Sequence, residues 1–388
     1  MLQISNNKLS QLPPLGLYIH IPWCVKKCPY CDFNSHNLTN ELPEAKYVES
    51  LISDLEQSLP LIWGRSIRTI FIGGGTPSLF SPDAINHILQ SVRSLTRLSP
   101  LAEITIEANP GTVDNEHISG YHKAGVNRIS FGIQSFNDKH LKSLGRIHDS
   151  GAAVNAINLA RKYFSQINLD LIYGLPSQTL SELEDDINKA VSFDTTHLSL
   201  YNLTVEPNTQ FYAKPPEHLP DNDLCYQMQD LIVNNLSQHG YSRYEVSAYA
   251  KDANFCQHNL NYWQFGDYLG VGAGAHGKIS FHDKIIRQVR HKHPKTYMDN
   301  VGLGQHIIED KTLISSELPF EFMLNALRLN SGFAASLFVE RTGLGLNKIL
   351  NQLESAQQKG FLKFRDGKII PTNLGQDFLN DLLLLFLD

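Results

Sequence analysis

The sequence is short of what several protein classes require. It has 5 cysteines in 388 residues. That count is odd, and low for a disulfide scaffold in so long a chain. Basic residues are not in excess: 33 Lys and Arg stand against 39 Asp and Glu, a net charge of -6. A general nucleic-acid binder shows the opposite balance, so no nucleic-acid partner is expected. No apolar run reaches the roughly 18 residues of a spanning helix. The longest, Leu382 to Leu387, reads as the buried face of a final helix or strand, with a peripheral membrane or partner contact as the alternative. Residues 1–12 are polar, with a single charge at Lys8, and lack the apolar core of a signal peptide. A cytoplasmic, reducing location is therefore expected. With 42% hydrophobic and 19% charged residues, the chain suits one large globular domain and one or two smaller ones.

The cysteines that are present are not scattered. Cys24, Cys28 and Cys31 follow a C-x3-C-x2-C spacing inside the stretch Tyr18 to Phe33. Three thiolates on one loop suit three irons of a 4Fe-4S cluster, leaving the fourth iron open to a substrate or cofactor. Structural zinc usually takes four protein ligands in two pairs, and no second C-x2-C exists here. Pro22 and Pro29 stiffen the loop by fixing φ, and Tyr30 precedes the last cysteine. Three unrelated loop cysteines is the plain alternative.

Strand and helix patterns alternate from there. Leu15–Ile21 reads as a strand that delivers the cysteine loop, and residues 44–59 as a helix. The strand 69–72 runs into Gly73-Gly74-Gly75-Thr76-Pro77, and Ser81 caps a helix that opens with Pro82. Strands are predicted over 103–107, 128–133, 167–173 and 197–203, with helices over 118–124, 152–164 and 179–191 between them. Six such units imply an α/β fold, a partial (β/α)6 TIM-type barrel of parallel strands. Function is then expected at the carboxyl ends of the strands. The cysteines, the glycine run, Glu107, Gln134 and Asp170 all fall at or near such ends. Glycine lets a backbone approach a ligand closely, though a plain tight turn explains the run equally well, as a surface carboxylate would explain Glu107. The domains are read as 1–210 for the barrel, 211–300 for an extension and 301–388 for a winged-helix-like unit of helices and a hairpin turning at Asp366-Gly367. In the extension, 223–238 reads as a helix and 241–248 as a strand.

The cysteine loop resembles that of radical S-adenosylmethionine (SAM) enzymes. In that superfamily the open iron chelates SAM, and one electron from the cluster cleaves it. The stretches His20–Cys24, Cys31–His36, Phe71–Phe80, Ile106–Pro110, Arg128–Phe136, Leu144–His148 and Asn168–Pro176 together resemble the HemN/HemW group. That group comprises oxygen-independent coproporphyrinogen III dehydrogenases of porphyrin biosynthesis and related heme chaperones. The resemblance implies cluster ligands at Cys24, Cys28 and Cys31. It also implies SAM contacts from Tyr18, Tyr30, Gly74, Gly75, Thr76, Glu107, Gln134, Arg146 and Asp170, with the Arg146 fork suited to a carboxylate.

Within the group, two functions compete. The dehydrogenases usually carry a further cysteine where this chain has Phe33, and a long segment before the cluster loop, where this chain has 23 residues. The chaperones carry an H-N-x-x-Y-W motif, present here as His258-Asn-Leu-Asn-Tyr262-Trp263. The resemblance therefore implies a chaperone that binds heme and passes it to an acceptor protein in respiration, with an electron donor for the cluster. The enzyme remains the rival. His258 is a candidate axial ligand to heme iron, a hydrogen-bonded structural histidine being the alternative. Tyr262 and Trp263 suit a porphyrin face. His20 and His276 read as structural, Cys225 and Cys256 as buried or free thiols, and Cys256 only marginally as a heme contact.

Overall fold

A computed structural model describes residues 8–387. Residues 1–7 of the polar N-terminal stretch, and residue 388, lie outside the described residues. The six expected strands are β1 (Leu15–Ile21), β2 (Ser66–Gly74), β3 (Arg97–Ala108), β4 (Arg128–Gln134), β5 (Gln166–Tyr173) and β6 (His197–Asn202). They pair in parallel in that order. The longer helices between them are α1 (Glu44–Ser58), α2 (Pro82–Leu95), α3 (Asn115–Ala124), α4 (Ser150–Ala160) and α5 (Leu180–Val191). Their starts follow local chemistry. The Ser81 side chain accepts from the Ala84 N–H ahead of Pro82, and Thr179 with Glu182 forms a capping box before α5.

The extension supplies a seventh parallel strand. β7 (Asp267–Val271) pairs with β1 on the edge opposite β2. Antiparallel strands β8 (His276–Ser280), β9 (Ile285–Arg290) and β10 (Ile307–Thr312) continue from it. At the other end, Ala248–Ala250 pairs antiparallel with β6. The sheet is thus an open barrel whose two rims are antiparallel. The strand expected over 241–248 is broken into Ser242–Arg243 and Ala248–Ala250. Glu245 between them is buried and turns to the Arg328 guanidinium at 3.1 Å.

Parallel strands covered on both faces read as continuous apolar runs; these do not. β3 carries Glu103-Ile-Thr-Ile-Glu107, β4 Arg128-Ile-Ser-Phe-Gly132, β5 Gln166-Ile-Asn-Leu-Asp170 and β6 His197-Leu-Ser-Leu200. Side chains alternate across a strand. Ile104, Ile106, Ile129, Phe131, Leu169 and Leu198 therefore share the face that joins the main core. Ser130, Asn168, Asp170 and His197 share the other face, where they hydrogen-bond across strands. Barrel interiors are usually filled by branched apolar side chains; this one is polar.

The last third forms its own core around Phe322, Phe333, Phe338 and Ile369. Helices α6 (Leu318–Ala326), α7 (Ala335–Thr342) and α8 (Leu350–Gln358) precede the hairpin Leu362–Arg365 and Lys368–Pro371. Asp366 and Gly367 turn it with φ of 51° and 71°, as a two-residue hairpin turn needs. Leu382, Leu383 and Phe386 are buried in this core, while Leu384 and Leu387 are exposed. Among the described residues no helix is long and apolar enough to cross a membrane.

One buried ion pair fastens α1 to the sheet extension. Asp54 and Arg290 are both fully buried, 3.1 Å apart. Asp54 also accepts from the Tyr297 hydroxyl at 2.9 Å and the Gly272 N–H at 3.1 Å.

Candidate cofactor and ligand site

β1 ends at Ile21, just before Pro22, and the chain turns into the cysteine loop. The Gly75 N–H donates to the Ile21 carbonyl and the Thr76 N–H to the Trp23 carbonyl, each at 2.7 Å. A Cβ on Gly75 would stand 2.6 Å from the Trp23 oxygen, so only glycine lets the two loops meet. Asn34 anchors the far side, donating to the Ala273 and Lys292 carbonyls at 2.9 Å each. Cys24, Cys28 and Cys31 are free and half-buried. Burial pushes the Cys24 and Cys31 thiols up. Among the described residues no group of three or more His, Cys, Asp or Glu is set around a single ion. A four-iron cluster does not ask for that, because each thiolate binds a different iron. The donor set fits such a group: three free thiols on one loop, one of them, Cys28, within 3.4 Å of the Arg146 guanidinium.

Around Cys28 the structure gathers Arg146, Gln134 and Tyr30. Arg146 donates from Nη2 to the Gly132 carbonyl at 2.8 Å and keeps its Nε without a partner. A Cβ at Gly132 would meet Gln134 Nε2 at 2.9 Å and Arg146 Nη2 at 3.5 Å, so both side chains lie over that glycine. Gln134 sits at φ 70°, a strained conformation for a non-glycine residue. Tyr30 packs near Phe211, ring centroids 6.3 Å apart, and burial raises its hydroxyl pKa.

Deeper in the barrel stand two carboxyl groups. Glu107 Oε2 accepts from the Gly74 N–H at 3.1 Å, and Gly74 takes φ 115°. Burial, reinforced by the charge of Asp170, lifts Glu107 to about 8. Burial also raises Asp170, which Ser130 and Asn168 hold at 3.0 and 2.8 Å. Tyr18 hydrogen-bonds His20 Nδ1 at 2.9 Å. A pair of acids that prefer to be protonated in isolation suits a cationic ligand, which removes the penalty of ionising them.

The ligand-free protein carries a signature of this. Glu107 keeps its proton to about 8, whereas an unfolded Glu loses it near 4.3. Folding therefore becomes less favourable as the pH climbs through that window. Glu107→Gln, which retains an acceptor for Gly74, is expected to be more stable than the wild type. The difference should grow between pH 5 and 8 in denaturant melts. A difference that stays constant with pH would place the proton elsewhere.

Beside these groups lies a cavity of about 550 Å³, within the usual range for small-molecule sites. Tyr18, Phe71 and Glu107 form its barrel side, and Phe33 and Asn34 of the cysteine loop reach its edge. Tyr262, Trp263 and Tyr268 supply an aromatic wall, and Leu324 and Asn325 close it from the C-terminal unit. Tyr262 and Tyr268 meet edge to face, centroids 4.5 Å apart.

His258 does not reach this cavity. It is 1% exposed, with Nδ1 bonded to Thr69 Oγ1 at 2.8 Å and Nε2 to the Tyr262 hydroxyl at 2.9 Å. Burial lowers its pKa to about 3. Both ring nitrogens are thus engaged, and the ring fixes the Tyr262 hydroxyl at the cavity edge. Cys256 is buried with its thiol 3.6 Å from Glu103 Oε1 and is absent from the cavity wall. Cys225 is half-buried. Asn34, Phe71, Tyr268 and Arg287 are cavity residues that sequence reasoning missed. Tyr268 pairs with Lys278 and Lys278 with Arg287, a cross-strand row that exists only once the strands are paired.

Comparison with known proteins agrees with this architecture. The radical SAM superfamily model matches residues 18–190, and the HemN C-terminal domain model matches residues 315–378. The chain is 46% identical over 385 residues to heme chaperone HemW of Haemophilus influenzae, covering 98% of this chain and 99% of that one. It is 47% identical to heme chaperone HemW of Escherichia coli, covering 97% and 99%, and 34% identical to that of Bacillus subtilis, covering 95% and 98%. Among solved structures, coproporphyrinogen III oxidase HemN from Escherichia coli superposes with a TM-score of 0.82. That match covers 97% of this chain and 90% of HemN at 23% identity, and it shows a shared fold. Motifs, barrel and full-length relatives converge: the chain belongs to the radical SAM superfamily and, within it, to the HemW family.

Proposed function

We propose that this protein is a heme chaperone, binding heme and passing it to an acceptor protein in respiration. The observation that carries the reading is the full-length identity of 46–47% to proteins named heme chaperones, against 23% to the structurally similar oxidase. The aromatic cavity beside the cysteine loop supports it, because a porphyrin offers two broad apolar faces to bury.

Cys24, Cys28 and Cys31 are the residues to hold a 4Fe-4S cluster, which when bound exchanges single electrons with a donor protein. SAM is assigned to the adjoining groups. Arg146 suits its carboxylate through charge-assisted hydrogen bonds, while Glu107 and Asp170 suit positive charge. Tyr18, Tyr30 and Gln134 flank them. Gly74, Gly75 and Thr76 shape the backbone between the two halves. The setting is the cytoplasm.

Anaerobically reconstituted protein should bind heme in titrations followed by absorption. Given SAM, a reductant and coproporphyrinogen III, it should form no protoporphyrinogen IX. Clear turnover of the porphyrinogen would replace the chaperone reading with a dehydrogenase.

A further inference from the structure

Both ring nitrogens of His258 are engaged, so a heme in the cavity needs another ligand; among the described residues two histidines line the wall, His20 and His276. His20 is committed. Its Nδ1 bonds the Tyr18 hydroxyl at 2.9 Å and its Nε2 the Asn34 carbonyl at 2.8 Å. His276 differs on each count. It is the exposed first residue of β8, and no hydrogen bond to its ring is found among the described residues. Strand alternation puts His276 on the same face as Lys278. Lys278 pairs with Tyr268 on one side and Arg287 on the other, and all four line the cavity.

We propose that His276 ligates the iron of the bound heme, with Arg287 as the cationic partner of a propionate. The inference rests on the heme reading above. Imidazole nitrogen is a standard protein ligand to heme iron, and its neutral form is the one that coordinates. Arg287 is pre-positioned. It donates to the Tyr268 hydroxyl at 2.9 Å, pairs with Glu321 and leaves its Nε without a partner. Lys278 is not available for that role, since its ammonium already contacts Asp267 at 2.8 Å and the Phe265 carbonyl at 3.1 Å. The cavity wall thus joins aromatic residues of the H-N-x-x-Y-W motif to a ligand and a cation on the β8–β9 hairpin.

The test compares wild type, His276→Ala, Arg287→Gln and His258→Gln during heme titration, read by absorption, electron paramagnetic resonance and resonance Raman spectra. His276→Ala should lose the axial-imidazole signature, and free imidazole should restore it, a rescue that a structural role would not show. Its heme retention should fall at least about tenfold, since even outer-shell partners of metal ligands have effects of that size. Arg287→Gln should keep the signature but release heme faster. His258→Gln should keep the axial imidazole. A wild type that binds no heme would end the chaperone reading itself. Normal heme binding with an unchanged spectrum in His276→Ala, or loss of the imidazole signature only in His258→Gln, would overturn the assignment of His276 and leave the chaperone reading standing.

Discussion

Cys28→Ala is expected to lose the full 4Fe-4S cluster, as are Cys24→Ala and Cys31→Ala, while Cys225→Ala and Cys256→Ala keep it. The three loop thiols are free and half-buried on one segment; as ligands of the proposed cluster each would serve a separate iron, and none could stand in for another. Cys225 borders Asn202, with its thiol 4.0 Å from the amide oxygen. Cys256 is enclosed beside Glu103. Removing Cys28 also takes away the sulfur that lies 3.4 Å from the Arg146 guanidinium. Iron and acid-labile sulfide are counted after anaerobic reconstitution. Four irons and four sulfides per chain in Cys28→Ala would sink the assignment.

Arg290→Met should be the most destabilising single change away from the loop, at about 3–5 kcal/mol, the effect of stranding a buried charge. Asp54 has no solvent to turn to, being fully buried with Arg290. Burial alone would raise its pKa, but Arg290 and His306 outweigh that and hold it at about 2. An unfolded Asp titrates near 3.9. The stability this carboxylate contributes is therefore complete above pH 4 and is lost as the pH falls toward 2. Urea midpoints at pH 7 measure the first effect. A series from pH 5 down to 3 measures the second, which Arg290→Met should abolish. Arg290→Met combined with Asp54→Leu should recover part of the loss, since an apolar pair replaces a lone charge. A wild-type midpoint in Arg290→Met would show that the pair is not what joins α1 to the extension.

Much of this was readable in the sequence because the signals were local. The Ser81-Pro82 helix start, the Asp366-Gly367 turn and the six strands each depend on neighbouring residues alone. The rest depended on residues far apart in the chain. His258 resembles a ligand in its motif, yet its partner Thr69 lies 189 positions away. β7 was hidden because Gly266, Gly270 and Gly272 mask a strand whose partner is β1. Glu182, Glu184, Asp185 and Asp186 open α5, where negative charge suits the helix dipole. Asp186 within it is instead buried, taking hydrogen bonds at 2.7 Å from Ser135 and from the Phe136 N–H, and so fixes the turn after Gln134. The polar lumen was legible in the alternation of β3 to β6, but only if the strands were not assumed to be apolar on both faces.

The place of β1 has a consequence for the order in which the protein is made. Its two neighbours are β2 and β7, and residues 267–271 leave the ribosome long after residues 66–74. Until they emerge, β1 keeps one unpaired edge, open to wrong pairing. The same late segment provides Ala273 and Lys292, the carbonyls that secure Asn34. The cysteine loop therefore acquires its final form only once carbonyls 239 and 258 positions beyond Asn34 have been made. A nascent chain stalled before residue 292 holds the three thiols without the frame that sets them, and iron delivery to a finished chain is the course this topology favours.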